Sequence, residues 1–281
     1  MRQTASDTDD PETLRRACVR ALRIADIGSH FALPDLPMPR DYPLAEGAWS
    51  GNRRPPQRKY LQRRRNLVRA VRRIQLYLPE LMGGPPRRVF ELSTGHGAML
   101  EVLRHYGHAV LGNDFANMVN GSEDGGRSAL RALNDPGFSR RIDDYGIPIP
   151  ADGQIADWPY RPITDSIGLP MALFDAGHLP YPLDSGSQDY VLCLQAIEHY
   201  CHPGHWLAVV DEMCRIATTG VFVLLNPMMQ SFAADPGYRA AFDTFRAGMR
   251  AYDRGGFRCV GVHLHWGQAL GFKLLRLGGK C

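Results

Sequence analysis

The segment of residues 88–114 limits the fold more than any other part of this 281-residue chain. It opens with a short apolar run, Val89–Phe90, that stops at Glu91, and two glycines follow, Gly95 and Gly97. Glycine adopts backbone conformations that other residues avoid, and it lets a ligand approach the main chain closely. The pattern therefore predicts a strand that ends in a tight turn.

A helix and a second strand are predicted after this turn. Apolar residues between Ala98 and Tyr106 have helical spacing, and Gly107 stands where a C-terminal cap is expected. Residues 109–111 predict a short strand that leads to Asp114. Helices that join parallel strands in this way build an open α/β sheet, and ligands bind beyond the carboxyl ends of its strands.

The chemistry of the turn indicates a nucleoside cofactor. The start of the helix offers unpaired N–H groups to an anion, and Asp114 can accept two hydrogen bonds from a ribose diol. These features fit either a dinucleotide or S-adenosylmethionine. The dinucleotide fingerprint needs a third glycine, but Leu100 stands at that position. Glu91 would repel a pyrophosphate and can hold the ammonium of a methionine moiety, so S-adenosylmethionine is favoured.

The turn resembles the first motif of class I S-adenosylmethionine-dependent methyltransferases, an acidic residue followed by x-G-x-G-x-G. Here it reads Glu91-Leu-Ser93-Thr-Gly95-His-Gly97, with serine in place of the first glycine. The resemblance implies that Glu91, Ser93, Gly95 and Gly97 surround the methionine half of the cofactor. It also implies that Asp114 binds the ribose of the cofactor. The alternative is an ordinary strand-to-helix turn in another α/β enzyme.

A second motif lies at residues 174–200, F-D-A-G-H-L-P-Y-P-L-D-S-G-S-Q-D-Y-V-L-C-L-Q-A-I-E-H-Y. It resembles the methyltransferase branch that includes the quinone-biosynthesis enzymes, also described as methyltransferase 11-like. By that resemblance Asp175 accepts from the adenine amine and the N–H of Ala176 meets a ring nitrogen. Gln195 would lie at a strand tip near the methionine part of the cofactor.

The resemblance implies an α/β fold, a Rossmann-like doubly wound sheet of seven strands, mostly parallel, with an antiparallel C-terminal strand. We expect an N-terminal helical and extended cap over residues 1–85 and a cofactor-binding domain over residues 86–281. An insertion of about residues 117–168 is expected after the second strand, because more than 50 residues separate it from the next one.

Apolar periodicity predicts the remaining elements. The predicted strands are Met171–Phe174, Tyr190–Leu194, Val221–Leu225, Phe257–His265 and Phe272–Leu277. The predicted helices cover residues 11–26, 58–78, 126–142, 203–216 and 236–252.

His199 is the candidate catalytic residue, because it follows a strand tip and an unperturbed histidine titrates near pH ~6.5. It would act as a general base where the acceptor must lose a proton. Alternatively, Glu198 and His199 cap the next helix and orient its loop. The histidines and the cysteine at positions 199, 201, 202 and 205 have no spacing typical of zinc sites, so no metal is predicted.

The distribution of charge leaves one alternative function open. Net charge is +4, yet residues 53–73 alone carry ten Lys or Arg and no acid. The Arg-rich helix 58–73 can therefore be a solvated face or an RNA-binding surface, which would make the chain an RNA methyltransferase. A third alternative is a methyltransferase-like binding protein without catalysis. We favour a small-molecule acceptor with an O, N or C methylation site; nothing in the sequence fixes the oligomeric state.

Composition indicates the compartment. No apolar run approaches the ~20 residues of a membrane span, and the N-terminus lacks the apolar core of a signal peptide. The six cysteines show no C-x-x-C pair or regular framework. They are expected to be reduced thiols, and a cytoplasmic location is predicted.

Overall fold

A computed structural model describes residues 35–48, 59–114, 160–174, 176–177, 179–228, 230–265 and 267–277. Within this part of the chain the core is a seven-stranded mixed sheet flanked by helices. The predicted α/β class and Rossmann-like sheet are confirmed at this level. The predicted insertion falls largely outside the described residues, as do the helices predicted at 11–26 and 126–142, and the domain division stays a prediction.

The elements have the following bounds. The strands are β1 Arg88–Leu92, β2 Ala109–Gly112, β3 Gln188–Leu194, β4 Ala217–Leu224, β5 Asp253–Arg254, β6 Phe257–His265 and β7 Gln268–Arg276. The α-helices are α1 Arg63–Tyr77, α2 Ala98–His105, α3 Arg161–Ser166, α4 Trp206–Ile216, α5 Gln230–Ala233 and α6 Pro236–Arg250. Short 3₁₀ turns occupy Lys59–Leu61, Pro79–Leu81, Ile197–His199 and Pro203–His205.

The order of the strands across the sheet is β2-β1-β3-β4-β7-β6-β5. Strands β2, β1, β3 and β4 are parallel, whereas β7 is antiparallel to both β4 and β6. The chain crosses from β2 to the far side of β1 to form β3. Such a reversal of strand order opens a crevice at the carboxyl ends of β1 and β3, where ligands bind in open α/β sheets.

Two sequence predictions about strands are wrong in detail. The strand predicted to have Glu91 at its tip extends one residue further, to Leu92, and Glu91 is in register with Gly112 on one side and Leu192 on the other. Main-chain pairing on both sides overrides the polar side chain. The strand predicted at Met171–Phe174 is present only as isolated bridges at Met171, which pairs with Gly112, and at Phe174, and the two-residue β5 completes the seven-stranded sheet instead.

The sheet separates two apolar layers because alternate residues of each strand point to opposite faces. One face packs on α4 and α6; its strand residues include Phe90, Val191, Val221 and Phe272. The other face packs on α1 and α2; its strand residues include Val89, Leu192 and Phe222. Helix α1 thus belongs to the same core as the sheet.

The start of α6 has a side-chain cap, and we expect its loss to be measurable. The Asp235 carboxylate accepts hydrogen bonds from the N–H groups of Gly237 at 2.8 Å and Tyr238 at 3.2 Å. Asp235→Ala should lower the free energy of unfolding by about 1 kcal/mol, the usual cost of a lost N-cap. Urea unfolding monitored by circular dichroism measures this change. Asp243→Ala, which removes an exposed ion pair with Arg246 on the same helix, is the control and should cost only a few tenths of a kcal/mol; equal costs would contradict a capping role.

Candidate functional site

The turn after β1 has three residues in the left-handed backbone region. Ser93 has φ 53°, Gly95 φ 58° and Gly97 φ 74°. Two of the three are glycines, as such a conformation requires, and Ser93 is held by a hydrogen bond that Tyr200 Oη donates to its Oγ at 2.8 Å. A Cβ on Gly97 would lie 2.2 Å from the Leu169 side chain. Backbone conformation thus explains both glycines, and close packing also explains Gly97.

Asp114 lies directly beside the turn, as the sequence predicts. It is buried, and its Oδ2 accepts a hydrogen bond from the N–H of Gly95 at 2.6 Å. Neighbouring main-chain bonds, from Thr94 N to Asn113 O and from Asn113 N to Glu91 O, are each 2.8 Å. The tips of β1 and β2 therefore form one rigid unit that fixes the position of the Asp114 carboxylate.

Glu91 is a buried carboxyl group with an unsatisfied oxygen. Its Oε2 has no hydrogen-bond partner among the residues that the structure describes. Burial raises the pKa of Glu91 to about 8, and the charge of Asp114 adds to the rise, whereas the charge of Arg73 opposes it. Such a group gains most from a bound cation, which would supply the missing donor and favour the ionised form.

Arg73, on α1, is the residue of this site that the sequence analysis missed. Its guanidinium donates to Oε1 of Gln195, beyond the end of β3. Burial lowers the pKa of Arg73; the charge of Arg69 lowers it further, and that of Glu91 opposes the decrease. Arg73 and Glu91 thus attract each other electrostatically, yet they form no ion pair. The only sequence signal was its place in the Arg-rich run, which does not distinguish an inward arginine from an exposed one.

Gln195 has a strained backbone that directs its side chain to Arg73. Its φ is 57°, in the left-handed region that non-glycine residues seldom occupy. Its N–H donates to Leu224 O at 2.6 Å, and its carbonyl accepts from Asn226 Nδ2 at 3.1 Å. Bonds from the end of β4 therefore hold Gln195 at the tip of β3, where the sequence predicts it.

The predicted adenine-binding end is described in part. Asp175 lies outside the described residues. The preceding segment is tied to the tip of β2, because Asn113 Nδ2 donates to the carbonyls of Ala172 at 2.9 Å and Phe174 at 3.0 Å. Ala176 is buried, and its carbonyl accepts from Tyr181 Oη at 2.9 Å. The roles of Asp175 and Ala176 stay predictions.

His199 and Glu198 occupy the 3₁₀ turn that follows β3. Burial lowers the pKa of His199 to about 4, and its Nδ1 is buried without a partner among the described residues. This imidazole is a weak base, so the catalytic role of His199 stays a prediction with little support from its surroundings. Burial raises the pKa of Glu198 to about 7, so of these two neighbours the carboxylate is the stronger base.

Aromatic residues from outside the sheet contact the glycine turn. The Tyr60 ring lies 5.7 Å from the His96 ring and 5.0 Å from the Tyr160 ring, between centroids. Tyr42 Oη donates to the carbonyl of His96 at 3.2 Å. The segment before β1 and the segment that leads into α3 therefore both border the same end of the sheet.

The Arg-rich segment is divided between interior and surface. Arg63 pairs with Glu101 of α2, and Arg73 reaches Gln195. The side chains of Arg64, Arg65 and Arg69 are exposed. Part of the basic run thus serves the packing of α1 and the site at the strand ends.

The described residues provide neither a metal site nor a membrane span. They contain no group of three or more His, Cys, Asp or Glu residues that could hold a metal ion. Within the same ranges, no helix has the length and apolar character needed to cross a membrane.

No family model matches the chain, and neither does any curated protein. Similar solved structures include magnesium protoporphyrin IX methyltransferase from Synechocystis PCC 6803 with bound S-adenosylhomocysteine, at 15% identity and TM-score 0.41 over 81% of this chain and 90% of that one. A methyltransferase from Aquifex aeolicus has 13% identity and TM-score 0.41, over 75% and 98% of the two chains. A methyltransferase in complex with the Haloferax volcanii Trm112 activator has 17% identity and TM-score 0.36, over 76% and 80%.

Proposed function

We propose that this chain binds S-adenosylmethionine at the carboxyl ends of β1 and β3 and transfers its methyl group to a small molecule. One observation carries the proposal: the buried Glu91 carboxyl, which a bound cation would ionise, and the Arg73 guanidinium lie beside the glycine turn without pairing with each other. An α-amino acid carries an ammonium and a carboxylate on one carbon. The methionine end of the cofactor therefore satisfies both groups at once.

The remaining residues fit the other parts of the same molecule. The Asp114 carboxylate is buried and fixed at the tip of β2, where it can accept from a ribose diol. Asp175 and Ala176 are proposed for the adenine. A dinucleotide would bring a pyrophosphate to the same turn, and that negative charge would oppose ionisation of the buried Glu91 carboxyl.

The protein contributes mainly by positioning. The bound cofactor supplies an electrophilic methyl group, and this chain fixes the two ends of the cofactor. Hydrogen bonds from Asn226 to Gln195 and from Tyr200 to Ser93 hold the turns after β3 and β1 in position before ligand arrives. Preorganisation of this kind lowers the entropic cost of binding.

A small-molecule acceptor is supported by the direction of the arginines. Arg63 and Arg73, which belong to the run considered for RNA, are directed to Glu101 and Gln195. The aromatic side chains of Tyr42, Tyr60 and Tyr160 border the turn and suit a small apolar or aromatic acceptor. Only the exposed arginines of the run could contact RNA, so they are the remaining support for an RNA acceptor.

Substitution of two matched glycines tests the cofactor assignment. Gly95 and Gly107 both have positive φ, and an added Cβ would meet no atom of the described residues within 4 Å at either one. Gly95→Ala and Gly107→Ala should therefore each cost about 1 kcal/mol of stability through backbone strain. Only Gly95→Ala should weaken S-adenosylmethionine binding, by about tenfold or more, because its methyl group extends toward the proposed ligand.

Isothermal titration calorimetry with S-adenosylmethionine measures the affinities, and thermal unfolding measures the strain. Absence of binding to the natural sequence would reject the proposal. Equal affinity losses in the two variants would place the effect in general destabilisation rather than in the cleft. Labelled methyl transfer into a metabolite extract then identifies the acceptor.

A further inference from the structure

Glu198 joins the carboxyl ends of β3 and β4. It lies in the 3₁₀ turn Ile197–His199, and its Oε1 accepts a hydrogen bond from the N–H of Asn226, just beyond β4. The Asn226 side chain in turn donates to the carbonyl of Gln195 at 3.1 Å. The Glu198 carboxyl is thereby fixed next to the residue that Arg73 contacts, at the same edge of the sheet as the proposed methionine site.

The second oxygen of this carboxyl is unsatisfied. Glu198 Oε2 is buried and has no hydrogen-bond partner in the described part of the chain. A buried oxygen without a donor is costly, and a purely structural carboxyl would normally use both oxygens. We therefore expect Glu198 Oε2 to accept a hydrogen bond from a bound ligand.

The groups around Glu198 leave it able to exchange a proton near neutral pH. Burial raises the pKa of Glu198 to about 7, although hydrogen bonds from its own N–H and from Asn226 oppose the rise. Cys193 of β3 and Tyr238 of α6 feel its charge, and burial raises the pKa of both groups, so they stay neutral. No salt bridge to Glu198 is found among the described residues.

We propose that Glu198, rather than His199, faces the reacting sulfonium and takes the proton of the methyl acceptor, which therefore carries an O–H or N–H group. This inference rests on the proposed function. The acceptor's lone pair forms a bond to the methyl carbon while the carbon–sulfur bond breaks toward sulfur. The acceptor's proton passes to Glu198 Oε2, so the sulfonium charge and the carboxylate charge disappear together.

A calorimetric experiment tests this placement without knowledge of the acceptor. S-adenosylmethionine and S-adenosylhomocysteine share their ammonium, carboxylate and ribose, but only the first carries the sulfonium charge. A positive charge beside Glu198 favours its ionised form, so binding of S-adenosylmethionine at pH 7 should release up to about half a proton more than binding of S-adenosylhomocysteine. Titration in buffers of different ionisation enthalpy measures the released protons. Protons released by Glu91 are common to both ligands, so they cancel when the proton release of S-adenosylhomocysteine is subtracted from that of S-adenosylmethionine.

The difference should be largest below pH 7, midway between the pKa values of Glu198 without and with S-adenosylmethionine, and should vanish at pH 9, where Glu198 is ionised before either ligand binds. Glu198→Gln should abolish the difference in proton release between the two ligands, whereas Glu91→Gln should not change this difference. Affinity for S-adenosylhomocysteine should change less than threefold in Glu198→Gln, which shows that the cleft is intact. Binding of both ligands with no difference in proton release would overturn the inference, and so would a difference that Glu91→Gln removes. Failure of the natural protein to bind either ligand rejects the proposed function instead.

Methyl transfer provides the second test. With labelled S-adenosylmethionine and a metabolite extract, transfer by the natural protein should increase with pH and level off above pH 7. Glu198→Gln should reduce transfer at pH 8 by about 100-fold or more, the usual contribution of a general base. His199→Asn is the matched variant on the same turn and should retain most of the transfer. A large loss of transfer in His199→Asn with little loss in Glu198→Gln would show that His199 takes the acceptor's proton.

Discussion

Asp114→Ala is expected to reduce the affinity for S-adenosylmethionine by about 100-fold or more. The carboxylate is buried and fixed by the N–H of Gly95 at 2.6 Å, and a ribose diol would donate two hydrogen bonds to it. Hydrogen bonds to a charged group contribute about 1.5–3 kcal/mol each, and about 1.4 kcal/mol corresponds to a tenfold change in affinity. Calorimetry with S-adenosylmethionine measures the loss.

Asp114→Asn separates the two roles of this side chain. The amide keeps one oxygen for the Gly95 N–H but lacks the charge and the second acceptor. We therefore expect a smaller loss, of about tenfold. Adenosine shares the ribose and lacks the methionine part, so it should lose affinity in the same proportion in both variants. Unchanged adenosine binding in Asp114→Ala would exclude contact with the ribose.

The fold was predictable wherever hydrophobic periodicity is strong. Helix α6 and strand β3 were predicted within two residues of their bounds, because each buries one regular face against the sheet. The strand through Glu91 was predicted too short because a carboxylate normally marks an exposed position. Its burial is enforced by pairing with both neighbouring strands, which single-chain periodicity does not reveal.

The candidate site was predictable at the glycine turn and unpredictable where it depends on tertiary contacts. Gly95 and Gly97 are recognisable because their backbone conformation excludes most other residues. Arg73 was counted only as one member of the Arg-rich run, and the packing of α1 is needed to show that it reaches Gln195. The sequence suggested that Glu198 caps a helix. Its unsatisfied oxygen could not be predicted, because it results from burial in the folded protein.

Arg73→Met is expected to reduce the affinity for S-adenosylmethionine by about 30-fold. Methionine keeps the apolar stem that packs along α1 but removes the cation, so the proposed contact with the cofactor carboxylate is lost. A charge-assisted hydrogen bond in a partly buried site contributes about 2 kcal/mol. Arg69→Met, one turn earlier and exposed, is the matched control and should have an effect below threefold that disappears at high salt.

Decarboxylated S-adenosylmethionine distinguishes a direct contact from an indirect one. Arg73 also lowers the pKa of Glu91, so its removal leaves Glu91 more protonated and weakens any bond to the cofactor ammonium. That indirect effect is common to both ligands, because both carry the amine. The direct effect requires the carboxylate, so Arg73→Met should weaken binding of S-adenosylmethionine at least tenfold more than binding of the decarboxylated ligand. Equal losses for the two ligands would mean that Arg73 acts only through Glu91, and the carboxylate would then bind elsewhere on the turn.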